Sequence, residues 1–254
     1  MPEVTVRDLL EAGTHFGHQT RRWDPKMKPF IFTQRNGIHI VDLQKTLVCL
    51  ERAFEAVRAT AQAGRAILFV GTKKQAVDVI KQEAERCAQF HVTERWLGGM
   101  MTNWQTIRQN VRHLDHLDRI SSDGTYERLK KKEVLLLEKE RVRMSRTLAG
   151  IRKMASLPGL VFIVDIKKER LALAESRKLG IASVAIVDTN CDPEQVTYPI
   201  PGNDDALRSI ELITRHMADA AIEGQAASGR GDTTGLSDAE EGDQEPAAAE
   251  ATAS

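Results

Sequence analysis

Cysteine is scarce in this 254-residue sequence: Cys49, Cys87 and Cys191 are odd in number, lie far apart and form no CxxC pair. Neither a disulfide framework nor a zinc ribbon is suggested on that basis. Long apolar runs are missing as well. The stretch Gly159–Val164 falls far short of the roughly 20 residues that a membrane helix needs, so no span is expected. The opening MPEVTVRDLLEAGTH lacks the apolar block of a signal peptide, which predicts a cytoplasmic chain. Neither the GxGxxG fingerprint nor a Walker phosphate loop occurs, and no nucleophile, base and orienter stand together, so a nucleotide site or a hydrolytic centre has little support. Net charge is absent too, with 36 Lys+Arg against 36 Asp+Glu.

That zero is a cancellation between regions. Residues 1–126 carry +4, residues 127–153 carry +6, residues 154–227 carry −4 and residues 228–254 carry −6. A chain with a basic front and an acidic rear can still meet a polyanion. The last segment is Ala, Gly, Ser and acid with Leu236 as its single large apolar residue; it reads as a disordered acidic tail, because burial there cannot offset ordering entropy. The acidic 154–227 region is the candidate for protein contacts or solvent.

Four short aliphatic runs read as buried parallel strands: Gly37–Val41, Ala66–Val70, Leu160–Val164 and Ser183–Val187, with a weaker fifth at Phe90–Thr93. Helical periodicity fills Leu43–Gln62, Thr72–Gln89 and Lys167–Leu179. This alternation predicts an α/β fold with a parallel sheet between two helical layers. The rhythm breaks between Gly98-Gly99 and Leu157-Pro158-Gly159. There, Asn103–Ile120 and a second stretch to about Met154, parted by Ser121–Gly124, predict an antiparallel helical hairpin. Val134, Leu137, Arg141, Met144, Leu148 and Ile151 form a coiled-coil seam with one charged member. The expected organisation is a discontinuous α/β domain (1–98 and 157–227), a hairpin insertion (99–156) that protrudes as an arm, and the tail (228–254).

Several clusters carry chemistry. In TRRWDPKMKPFIFTQRNG, Arg21, Arg22, Lys26, Lys28 and Arg35 face one acid and interleave with Trp23, Phe30 and Phe32, a combination suited to phosphate contacts and base stacking on an extended loop. The alternative is a loop that packs its aromatics inward. FVGTKKQA places Lys73 and Lys74 where a helix begins, fit for a single phosphate. RWLGGMMTNW sets Arg95, Trp96, Asn103 and Trp104 around paired glycines, either as a structural junction or as a close approach to RNA. Lys130, Lys131 and Lys132 begin the basic limb of the hairpin; a solvated helix face is the alternative there. Asp42, Asp165 and Asp188 each end a strand, where ligands bind in α/β folds but where carboxylates also cap helices. His15 and His18, with His39, are read as hydrogen-bonding or stacking histidines rather than metal ligands, and no metal or cofactor is expected.

GTHFGHQTRRWDPKMKPFIF, NGIHIVDLQKT, ILFVGTKKQA, RWLGGMMTNW, AIVDTNCDP and IPGNDDALRSI together resemble the bacterial small-subunit ribosomal protein family S-two, in order over about residues 5–225. The resemblance implies a flavodoxin-like α/β/α domain with a coiled-coil hairpin and no catalysis. It further implies contact with 16S ribosomal RNA, support for docking of neighbouring ribosomal proteins including S-one, and no homo-oligomer. Carried onto this sequence, the RNA candidates are Arg21, Arg22, Trp23, Lys26, Lys28, Arg35, Lys73, Lys74, Arg95, Asn103, Lys130, Lys131 and Lys132.

Overall fold

A computed structural model describes residues 4–229; from residue 230 onward, the expected acidic tail lies outside the described residues. In chain order the elements are α1 (Val6–Glu11), β1 (Phe16–Gln19), β2 (Ile31–Arg35), β3 (Ile38–Val41), α2 (Leu43–Gln62), β4 (Ile67–Val70), α3 (Lys74–Arg86) and β5 (Phe90–Val92). They continue with α4 (Trp104–Ser122), α5 (Lys131–Leu148), β6 (Leu160–Val164), α6 (Arg170–Lys178), β7 (Ala182–Val187), β8 (Tyr198–Pro201) and α7 (Leu207–Ala227). The central sheet runs β5-β4-β6-β7-β8, all parallel. Counted within the sheet, this is the 2-1-3-4-5 order of flavodoxin-like folds, with the reversal of direction between β4 and β6.

The inner strands are apolar at every position except the buried Ser183, which bonds to Thr197, because both faces are covered. Leu68, Val70, Val161, Ile163, Ala185 and Val187 point to one side, where the base of the α4–α5 hairpin and α6 supply Ile107, Val111, Leu114, Leu148, Ile151, Ala172 and Leu173. Their neighbours Ile67, Phe69, Leu160, Phe162, Val184 and Ile186 point to the other, against α2, α3 and α7. Period-2 alternation thus divides one continuous run of strand residues between two cores.

Sheet membership corrects the sequence reading. Ile38–Val41 is not a parallel strand; β3 is the centre of a separate antiparallel sheet, β1-β3-β2. Its place in the parallel sheet is taken by Tyr198–Pro201, in which Pro199 and Pro201 sit opposite Ala185 and Val187. Proline lacks a ladder donor and is confined to sheet edges, and β8 pairs with β7 alone. The basic stretch is likewise not an extended loop: it folds as two 3-10 turns, Thr20–Arg22 and Pro25–Phe30, followed by β2. Met27 is fully buried beneath them, whereas Phe32, for which inward packing was the alternative reading, is 74% exposed.

Among the helices, α2 has the expected bounds, and the Asp42 carboxylate accepts from the Gln44 backbone N–H at 3.1 Å as its N-cap. The long α7 packs on α2 through Ala218, Ala221 and Gly224; a Cβ at Gly224 would lie 2.8 Å from the Ala61 Cβ and against the Arg58 carbonyl. In the hairpin, α4 buries Ile107, Val111, Leu114 and Leu117. The charged seam member Arg141 is matched by Asp118 from α4 at 3.3 Å and by Glu138 at 2.9 Å. Arg152 binds Asp115 and Asp118, so two of the cations counted toward the basic limb are consumed inside the hairpin.

Candidate functional site

The antiparallel sheet is docked onto the C-terminal edge of the parallel sheet, where its backbone groups meet the turns after β7 and β8. The Thr189 Oγ1 accepts from the His18 N–H at 2.9 Å, the Thr189 carbonyl accepts from the Asp24 N–H at 2.8 Å, and the Asn203 N–H donates to the Thr14 carbonyl at 3.1 Å. Gly17 allows this approach: a Cβ there would stand 2.5 Å from the Thr189 Cγ2. The basic stretch is thereby held over the crevice where ligands of doubly wound folds usually bind.

The cations of that stretch divide into two kinds. Arg21, Arg22, Lys28 and Arg35 are exposed and make no ion pair among the described residues. Lys26 reaches across to Asp192 at 2.9 Å and Glu194 at 2.6 Å, and these two carboxylates hold its ammonium well above the usual lysine pKa. Trp23 is 36% exposed and lies against His39, ring centroids 5.3 Å apart. At the α3 start the two lysines also separate. Lys74 is exposed, but the Lys73 ammonium turns inward to Asp204 at 2.9 Å, Asp205 at 2.6 Å and Asp165 at 3.6 Å. Burial pulls its pKa down, yet the carboxylate partners outweigh that and raise it.

Around Lys73 the sheet edge collects acids that the sequence reading treated singly. Asp165 closes the turn between β6 and α6, accepting from the Lys167 and Lys168 backbone N–H groups at 3.1 Å each, whereas the N-cap position of α6 itself is Glu169. The Asp188 Oδ1 accepts from the Thr189 Oγ1 at 3.0 Å, and the Asp188 Oδ2, on a side chain 1% exposed, lies 2.9 Å from the His18 Nδ1. Burial, reinforced by the charges of Asp188 and Asp165, pushes the Asp204 carboxyl up to about 6. The Asp188 carboxylate in turn raises the His18 imidazole. One His18 nitrogen and one oxygen each of Asp188 and Asp204 lie within 4.8 Å of one another, a donor set of the kind that can hold a divalent cation. In the sequence His18 groups only with His15 and His39, far from either aspartate. His15 takes no part; it stacks on Phe16, and burial lowers its pKa. The three histidines are therefore not brought to one point.

The glycine junction is organised by a residue the sequence reading missed. Glu175 on α6, 9% exposed, accepts from the Trp96 Nε1 (3.0 Å), from the backbone N–H groups of Gly99 (2.8 Å), Met101 (2.9 Å) and Thr102 (3.0 Å), and from the Thr102 hydroxyl (3.1 Å). Burial opposes its charge, but these donors more than compensate and its pKa is lowered. The only advance signal was a glutamate on the apolar side of a short amphipathic helix. Asn103 begins α4, its Oδ1 accepting from the Thr106 hydroxyl at 2.9 Å, and Arg95 is exposed beside it. Between this junction and α5 opens a cleft of about 610 Å³ lined by Arg95, Lys139, Val142, Arg143 and Arg146, with Glu94 and Glu138. Lys130, Lys131 and Lys132 are exposed at the start of α5 without ion pairs among the described residues. No helix of the described residues is long and apolar enough to cross a membrane.

Residues 9–224 match the family described as ribosomal protein S2. Two relatives, one from Treponema pallidum subsp. pallidum and one from Treponema pallidum strain Nichols, are each named small ribosomal subunit protein uS2. Both are 52% identical over 244 residues, covering 96% of this chain and 84% of theirs. With six ordered motifs, the flavodoxin-like sheet order and a match spanning most of its length, the chain belongs to the ribosomal protein S2 family, a family of structural, non-enzymatic ribosomal proteins.

Proposed function

We propose that this protein is a structural constituent of the small ribosomal subunit that binds 16S ribosomal RNA through two cationic surfaces, in the cytoplasm and without forming a homo-oligomer. One surface is the antiparallel sheet with Arg21, Arg22, Lys28 and Arg35, joined by Trp23, Lys26 and the sheet-edge lysines Lys73 and Lys74. The other is the hairpin, residues 99–156, acting as a unit inserted into the α/β domain of residues 1–98 and 157–227 and presenting Arg95, Asn103 and Lys130, Lys131 and Lys132. The observation that carries the reading is the division of cations: those in the interior are matched by carboxylates, while most on these two surfaces are exposed and unmatched among the described residues. Exposed unpaired Arg and Lys on rigid elements are free to neutralise phosphates, and duplex RNA is recognised mainly through backbone and shape. The acidic region, residues 154–227, faces neighbouring proteins and supports docking of partners such as ribosomal protein S-one.

The test is binding of the full chain to a 16S ribosomal RNA fragment as a function of salt. Six phosphate contacts correspond to a log–log slope of about −5. Replacing Arg21 and Arg22 by Ala should flatten that slope by about 2 with the fold intact by circular dichroism. Identical slopes for the parent and this double variant would remove the antiparallel sheet from the interface.

A further inference from the structure

We infer that the acidic segment of this chain from residue 230 onward docks in the cleft between the glycine junction and α5, where it matches cations that the folded body leaves free. The cleft is built on one row of α5. Lys139, Val142 and Arg146 follow one another at steps of three and four and line the cleft with Arg143 beside them, and Leu135 and Leu136 lie one turn earlier on the same helix. Arg95 stands on the opposite wall, and about 610 Å³ lies between.

Three of the four cations that line the cleft are not spent inside the fold. Arg95, Lys139 and Arg143 are exposed and meet no carboxylate among the described residues. The two acids of the cleft are already engaged: Glu94 pairs with Arg146 at 2.7 Å and Glu138 with Arg141 at 2.9 Å. Leu135, Leu136 and Val142 are each more than half exposed, so three aliphatic side chains stand in water next to three free cations. That mixture suits an occupant rich in carboxylates and poor in bulk, with a little apolar surface of its own.

Residues 230–254 have that chemistry. They hold seven acids against one base, Arg230, and Leu236 is their single large apolar residue. Five of the acids, Asp238, Glu240, Glu241, Asp243 and Glu245, fall within eight positions. Leu236 precedes them by two, so it reaches the row together with them and can cover Val142. Distance allows the contact. The Gln225 Nε2, near the end of α7, donates to the Cys87 carbonyl at 3.0 Å, which fixes where the segment departs. From Cys87 the chain runs through β5 to Glu94 on the cleft rim, seven residues further and therefore at most about 25 Å away. Residues 230–237, extended, span about the same length before the first of the five acids. Arg95 is also one of the cations assigned to ribosomal RNA, but the docking concerns the free protein and stands without that assignment.

The experiment uses the full chain without RNA, so its failure leaves the RNA-binding reading untouched. A nitroxide is attached at Ser237→Cys in a Cys49→Ser background. Cys87 and Cys191 are buried, and burial pushes both thiols up to about 12, so neither competes for the label. At low salt the amide signals of Arg95 and of residues 139–146 should lose at least half their intensity relative to the reduced label. In roughly 1 M salt, where charges are screened beyond about 3 Å, the signals should recover. Lys139→Gln with Arg143→Gln, both at exposed positions, should restore them at low salt. Neutralising the segment instead, with Asp238→Asn, Glu240→Gln, Glu241→Gln and Asp243→Asn, should do the same without altering the folded body. Absence of broadening, broadening centred on the antiparallel sheet, or broadening that survives salt and both sets of substitutions would each overturn the proposal.

Discussion

At the glycine junction one buried carboxylate, Glu175, faces five donors; at the sheet edge four carboxylates share one lysine and one histidine. The two regions lie at opposite ends of the same physical problem. Where backbone N–H groups converge, the charged form is stabilised and the Glu175 pKa falls. Where carboxylates crowd together, the Asp204 pKa climbs to about 6. The first arrangement is a completed structural joint that fixes how the hairpin leaves the body. The second is crowded with like charges, and the buried Asp188 Oδ2 has only the His18 Nδ1, 2.9 Å away, to face among the described residues.

Glu175 carries the largest expected effect. Replacement by Ala leaves the Trp96 indole and three backbone N–H groups without their acceptor and should cost about 4 kcal/mol, near the top of the range for single substitutions. Urea denaturation would measure it. Glu175→Gln, which keeps the shape but sets an NH₂ against converging donors, should cost about 2 kcal/mol. Asp204→Asn offers the contrast. It removes one of several repelling charges while Asp205 and Asp165 remain to hold Lys73, so stability should change by less than about 1 kcal/mol. Equal losses from Glu175→Ala and Asp204→Asn would mean that the two regions are handled alike.

Acid titration separates the joint from its surroundings in a second way. The folded pKa of Glu175 is depressed, so its contribution is present above the unfolded value of 4.5 and is lost as pH falls through the folded value. His91 and His216 are also depressed, here by burial, so the unfolded chain takes up their protons first and stability declines as pH drops below 6.5. Asp204 and His18, whose folded pKa values are raised, act with the opposite sign, so the measurement that isolates the joint is the difference in urea midpoint between the parent and Glu175→Gln, which should narrow as pH falls below 4.5.

The smallest expected effect concerns the paired cations. Lys26→Ala should change RNA affinity less than Arg22→Ala, because the Lys26 charge is already matched by Asp192 and Glu194. A filter-binding series at two salt concentrations would rank the two.

Much of the fold was legible because local pattern and tertiary role coincide. Leu160–Val164 is apolar at every position, and only a strand covered on both faces uses such a run. Leu43–Gln62 carries its own N-cap in Asp42. Ile38–Val41 was misplaced because a short β-branched run does not say which strand it will pair with. Tyr198–Pro201 was passed over because its prolines argue against a strand everywhere except at an edge. The basic stretch was legible as a charge cluster, but which of its cations remain free was not. Lys26 finds Asp192 at a separation of 166 residues, and Lys73 finds Asp204 at a separation of 131.

Spacing along the chain was therefore enough to specify most of the inner strands and their helices, the parallel α/β class, the helical insertion and the regional charge imbalance, but not β8 or α7. Three things waited for the folded chain: that Glu175 closes the junction, that Lys73 turns inward, and that His18 meets Asp188 and Asp204. These contacts join positions about 70 to 190 residues apart, and electrostatic neighbours of that kind exist only once the sheet has set its strand order.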